Sequence, residues 1–101
     1  MSFDSFEHML WWVFVGSRGG RTRMTIVNSL LDNPANAYQL TKTLSLNYRT
    51  ILHHLELLEE NRIVQGEGPK YGKVYFPTAL LMENLQIYRK VTGLNIGAAE
   101  D

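Results

Sequence analysis

A chain of 101 residues, 45% hydrophobic and 20% charged, has single-domain size and globular composition, enough for a core but not for a spacious catalytic cleft. It contains no cysteine, which excludes disulfides, thiolate metal sites and thiol redox sensing together and fits a reducing cytoplasm. Its ten basic and ten acidic side chains cancel formally, so any attraction to a polyanion must come from how they are distributed.

Residues 3–15 form an apolar arm. Phe3, Phe6, Met9, Leu10, Trp12, Val13 and Phe14 mostly follow helical spacing, with Asp4, Glu7 and His8 between them and Trp11 outside the stripe. Asp4 and Glu7 suit a helix N-terminus. A helix this apolar is expected to bury both faces. Three readings fit it: a core helix, a helix paired across a homodimer, or an anchor at a membrane interface through Trp11 and Trp12. The apolar run 9–15 is far shorter than the roughly 20 residues of a membrane span, and the segment lacks the basic start of a secretory signal.

Gly16-Ser17-Arg18-Gly19-Gly20 breaks the arm. A second helix is predicted over 21–31, with Met24, Ile26, Val27, Leu30 and Leu31 inward, and Asp32-Asn33-Pro34 ends it. Asn36 can cap a helix over 37–44, where Ala37, Leu40 and Leu44 share a face. Ser45-Leu46-Asn47 makes a turn, and Asn47 caps a helix running to residue 61. Its inner stripe is Ile51, Leu55 and Leu58, flanked by Leu52 and Leu57.

Residues 63–65 and 73–76 read as strands, and the glycines and proline of 66–72 as the tip between them, giving a wing over 66–73. A final helix over 78–93 carries Leu80, Leu81, Leu85, Ile87, Tyr88 and Val91, and its Leu81, Leu85, Tyr88 spacing resembles a helix-pairing seam. The small, acidic tail 94–101 is expected to be flexible. The expected fold is therefore mainly α with a small β-hairpin, a winged helix-turn-helix over 21–77 flanked by N- and C-terminal dimerisation helices.

Charge is sorted along this order. From residue 16 to 50, Arg18, Arg21, Arg23, Lys42 and Arg49 stand against Asp32 alone, and on the wing Lys70 and Lys73 oppose Glu67. Within 47–61 the first half offers Asn47, Tyr48, Arg49, Thr50, His53 and His54, and the second holds Glu56, Glu59 and Glu60. Donors at one end and acids at the other suit a helix that presents its start to a phosphate backbone.

On that reading duplex DNA is the partner. Arg49 is the best base reader, because a planar guanidinium can bond guanine at two acceptors. Asn47, Tyr48, Thr50 and His53 share base and phosphate contacts, while His54 packs against the scaffold with a hydrogen bond. Lys70, Tyr71 and Lys73 hold phosphate or probe the minor groove. Gln39, Thr41 and Lys42 lie on the supporting helix, with Lys42 toward phosphate. Arg18, Arg21 and Arg23 precede or open a helix, where positive charge is unfavourable, so gripping flanking phosphates would explain them.

Enzymatic chemistry is not indicated. The adjacent His53 and His54 point about 100° apart on a helix and do not chelate as an i, i+4 pair does. No Ser/His/Asp set, phosphate-binding loop or paired-carboxylate pocket is recognisable, and neither a cofactor nor a metal is expected. The three glutamates of 56–60 are spaced for a solvated face.

The span 40–76, and above all LSLNYRTILHHLELLEENRIVQGEGPKYGKVYF, resembles winged-helix regulators of the ArsR type found in bacteria and archaea. Leu46, Asn47, Thr50, Ile51, His54, Leu55 and Leu58 stand where the family pattern has such residues, and the upstream SRGGRTRMTIVNSLL is similar to the opening helix of archaeal members. The resemblance implies a cytoplasmic homodimer whose N- and C-terminal helices pack across a two-fold axis. Phe6, Leu10, Trp12, Val13, Leu81, Leu85 and Tyr88 are the residues placed to do so.

Three departures stand out. The soft-metal cysteine pair of many relatives is absent. Leu52 occupies the place of a small polar DNA contact. Arg62 replaces a glycine that commonly ends the recognition helix, and Asn61 is expected to supply the left-handed residue instead. Leu52 can touch a thymine methyl, or it and the aromatic arm can serve a protein-interaction module without DNA binding.

Overall fold

Three short polar side chains start the helices that matter most. The computed structural model describes residues 5–100, the last six of them (95–100) by backbone alone. Phe3, Asp4 and Asp101, included in the expected first helix and tail, lie outside the described residues.

Asn36 opens α3 (Ala37–Leu44) with a reciprocal capping box: its Oδ1 accepts from the Gln39 backbone N–H at 2.8 Å, and Gln39 Oε1 accepts from the Asn36 N–H at 2.8 Å. Asn47 opens α4 (Tyr48–Glu60), its Oδ1 accepting from the N–H groups of Arg49 at 2.8 Å and Thr50 at 3.3 Å. Thr78 opens α5 (Ala79–Glu83), accepting from the Leu81 N–H at 3.1 Å while donating to the Arg62 carbonyl at 2.7 Å.

The remaining elements are α1 (Ser5–Trp11), α2 (Gly20–Asp32), β1 (Ala35–Asn36), β2 (Val64–Glu67), β3 (Val74–Pro77) and α6 (Leu85–Glu100). A π-helical turn, Trp12–Gly16, continues α1. The sheet has the order β1-β3-β2, antiparallel throughout, with Ala35 opposite Tyr75 and Gln65 opposite Phe76. The architecture is a winged helix-turn-helix: mainly helical, with one small sheet whose β2–β3 hairpin is the wing.

Four boundaries correct the sequence expectations. Strand β1 was not expected, because two residues carry no periodicity and Asn36 announces itself only as a cap. The single helix expected over 78–93 is two helices broken at Asn84, whose Nδ2 donates to the Leu80 carbonyl at 2.9 Å. The second of them runs past Gly93 and Gly97 to Glu100, since an interior glycine weakens a helix by only about 1 kcal/mol and does not by itself stop it. Finally, the left-handed residue after α4 is Arg62 itself, at φ 61°, while Asn61 sits at φ −96°.

The core joins all the elements. Leu10, Val13 and Phe14 meet Ile26, Val27 and Leu30 of α2, Ile51, Leu55 and Leu58 of α4, and Leu81, Tyr88 and Val91 beyond the wing. Phe14 and Tyr88 pack edge to face with centroids 5.2 Å apart, and the Tyr88 hydroxyl donates to Asn28 Oδ1 at 2.8 Å. Burial pushes that phenol well above its usual pKa.

This packing corrects part of the expected dimer seam. Leu10, Val13, Leu81 and Tyr88 are enclosed by the chain's own core and have no surface to offer a second copy. Phe6 and Leu85 are half-buried, and Trp12, with its neighbour Trp11, is exposed. Among the described residues no helix is long and apolar enough to cross a membrane.

Candidate nucleic-acid interface

Helix α4 buries Ile51, His54, Leu55 and Leu58 and turns Tyr48, Arg49, Thr50 and His53 outward, as a period of 3.6 residues requires. Asn47 is exposed as well, but its Oδ1 is committed to the cap. Leu52 is half-buried and packs against the core, so it adds little apolar surface to this face.

A shallow depression on α4 is lined by Tyr48, Arg49, Leu52, His53 and Glu56. Glu56 therefore borders the donor half instead of standing clear of it. Glu59 also departs from the expected solvated face. Its carboxylate accepts from the Gly66 N–H at 3.3 Å and pairs with Lys73 Nζ at 3.4 Å, strapping the wing to α4.

Lys73 is correspondingly drawn inward, half-buried and 5.5 Å from the Tyr75 ring centroid. It is the least free of the expected wing contacts. Lys70 and Tyr71 remain exposed at the tip, with the ammonium 5.8 Å from the ring centroid. Lys42 is exposed on α3 and lies 5.0 Å from the Tyr38 centroid. Tyr38 was not singled out from the sequence. Its i, i+4 spacing to Lys42 on the polar side of a short helix was the available signal.

Arg18 and Arg21 are exposed, and Arg21 shares a surface hollow with Leu44 and Leu46 of the helix-turn-helix corner. Arg23 is different. It is only 2% exposed, so its expected role on flanking phosphate is corrected. Its Nε donates to the Val13 carbonyl at 3.0 Å and its Nη2 to Ser17 Oγ at 2.6 Å and the Arg18 carbonyl at 3.0 Å. Ser17 Oγ in turn donates to the Trp12 carbonyl at 2.7 Å.

These acceptors gather where the π-helical turn ends. The carbonyl-rich negative end of a helix thus offsets a buried cation that pairs with no carboxylate among the described residues. Such a cation is costly to bury unless its donors are satisfied, and all of Arg23's nitrogens are.

The remaining partner of Arg23 is on α4. Nη1 lies 3.1 Å from Nδ1 of His54. A guanidinium can only donate, so Nδ1 must be the unprotonated acceptor and the ring neutral. Burial, then Arg23, then His53 hold the His54 pKa below its usual value. The hydrogen bond expected for His54 is thus present, with a partner that fixes its tautomer. Gly19, at φ 90°, makes room: a Cβ there would stand 2.9 Å from His54 Cε1 and 3.0 Å from Arg23 Nη1. Through this cluster the N-terminal arm, α2 and α4 are held in one orientation.

The expected contacts thus separate into groups. Tyr48, Arg49, Thr50, His53, Lys42, Lys70 and Tyr71 are exposed on α3, α4 and the wing; Arg18 is exposed before α2 and Arg21 in its first turn; Asn47 and Lys73 are largely occupied within the chain.

Residues 20–65 match the family described as "Bacterial regulatory protein, arsR family". The matched stretch runs from the first residue of α2 into β2 and contains the whole helix-turn-helix. The match supports an ArsR-type helix-turn-helix of the kind found in DNA-binding transcription regulators. No curated protein matches the chain.

Proposed function

We propose, starting from this ArsR-type helix-turn-helix, that the chain is a sequence-specific regulator of transcription that binds duplex DNA as a homodimer. The start of α4 enters the major groove, Arg49 reads a base pair, and Tyr48, Thr50 and His53 make neighbouring contacts. The wing tip, Lys70 and Tyr71, rests on the backbone or in the minor groove, and Lys42 of α3 meets phosphate. The observation carrying this reading is the exposure of Arg49 at the open end of α4, with donors of α3 and the wing beside it.

A two-fold dimer would set two α4 helices about 34 Å apart on an inverted repeat. The exposed Trp11 and Trp12 are the apolar surface that supports dimerisation, since two neighbouring tryptophans form a patch of the kind that marks interaction sites. Such a protein would act in the cytoplasm, bind no cofactor or metal and perform no catalysis.

Two substitutions test the assignment. Arg49→Ala removes discrimination worth about 1–3 kcal/mol at one base pair and leaves binding to random duplex largely in place. Lys70→Ala weakens binding to all duplexes alike and lowers the salt slope by about 1. Titrations in which both variants bind like the parent, at every salt concentration, would overturn the proposal.

A further inference from the structure

Three tyrosines crowd the face assigned to DNA. Tyr38 is 59% exposed, Tyr48 47% and Tyr71 82%, and each belongs to a different part of the motif: α3, the first turn of α4 and the wing tip. Tyr38 and Tyr48 line one open groove, with Leu52 and Tyr75 at its base and Lys70 and Lys73 on the wing side. Lys70 lines the groove and lies 5.8 Å from the ring centroid of Tyr71, which stands beside it at the wing tip outside the groove; Lys42 lies 5.0 Å from the centroid of Tyr38 on α3.

Duplex geometry does not use such rings well. In B-DNA the flat faces of the bases are stacked on one another and present only their edges to a protein. An aromatic ring gains most from a base whose face is free. Exposed aromatic rings interleaved with cations are what a single strand needs, bases stacking on the rings while phosphates follow the positive charges.

We propose that the groove between α3, the start of α4 and the wing, together with the wing tip and the outer side of α3 that adjoin it, holds unpaired bases of single-stranded DNA, stacked on Tyr48 within the groove and on Tyr71 at the tip, with the strand's phosphates on Lys42 and Lys70. Tyr38 extends the platform at the far side. The inference rests on the reading of this face as a nucleic-acid interface and adds to it a second substrate form, melted DNA. Because stacking tolerates any base, this mode carries little sequence preference.

The test is fluorescence anisotropy of a labelled oligothymidylate of roughly 20 nucleotides at about 50 mM salt, with a random duplex measured in parallel. Oligothymidylate forms no hairpin of its own. Tyr48→Leu and Tyr71→Leu remove the ring; Tyr48→Phe and Tyr71→Phe keep the ring and remove only the hydroxyl. Both side chains lie outside the buried core, so the substitutions leave its packing in place.

The proposal expects the parent to bind oligothymidylate, each leucine variant to bind it about 5- to 150-fold more weakly, and the phenylalanine variants to stay within about twofold of the parent. Equal losses for phenylalanine and leucine would mean hydroxyl contacts to phosphate and would overturn it. So would leucine variants that bind like the parent. Duplex binding without oligothymidylate binding overturns this inference alone, and failure to bind either probe overturns the duplex reading with it.

Discussion

Arg23 and His54 tie helix α4 to pH through one buried hydrogen bond. The bond requires a neutral imidazole, because protonating Nδ1 would remove the acceptor and set a second cation against the guanidinium at 3.1 Å. The groups facing His54 are Arg23 from α2 and its exposed neighbour His53, and both oppose protonation. With the folded-state pKa held below the unfolded value of about 6.5, the unfolded chain takes up the proton first as pH falls. The stabilisation is therefore complete above about pH 6.5 and declines as pH falls toward the folded-state pKa. Urea midpoints for the parent should fall between pH 7 and pH 5 more steeply than those of His54→Gln, which does not titrate there. Parallel slopes would show that the pair contributes nothing to acid sensitivity.

Among elements, those written in local chemistry were legible from the sequence. The capping box of Asn36 and Gln39, the cap of Asn47 and the inner stripe of Ile51, Leu55 and Leu58 need only neighbours a few residues away. What escaped depends on partners distant in the chain. Arg23 looks like any surface arginine until Val13 and His54, 10 and 31 residues away, are brought beside it. Glu59 reads as solvated until the wing folds back on it, and β1 exists only because β3 supplies its ladder. Part of the candidate interface was legible for the same reason: the exposure of Arg49 and His53 follows helix phase, whereas the groove beside Tyr38 is built from residues of separate elements.

The junction after α4 carries a prediction at this scale. Arg62 adopts a left-handed conformation at φ 61°, which costs an L-residue with a Cβ roughly 1–2 kcal/mol, while glycine there gives up about 0.5–1 kcal/mol of chain entropy. Arg62→Gly should raise stability by up to about 1 kcal/mol. A denaturant midpoint below the parent's would show that the exposed arginine contributes contacts that outweigh its backbone strain.

For the whole molecule, formal neutrality conceals a division of labour. Exposed cations lie on α3, on the wing and at the outward start of α4, while Glu59 is spent on holding the wing and Glu7 on an ion pair with Lys90 at 3.2 Å. The latter joins α1 to α6 but, being largely exposed, contributes little to stability. Glu56, beside Arg49 and His53, offsets part of the charge of this face, but at physiological salt the Debye length is about 8 Å, so acids farther off than that do little to cancel it.

If this face meets phosphate, binding must follow the counterions that the phosphates release. The most direct test is anisotropy of a labelled random-sequence duplex titrated with the protein across a series of salt concentrations. Phosphate contact predicts binding at low salt that weakens linearly on a log–log plot, with a slope near −0.9 for each phosphate neutralised. A folded protein that fails to bind at low salt, or whose affinity ignores salt, would contradict it.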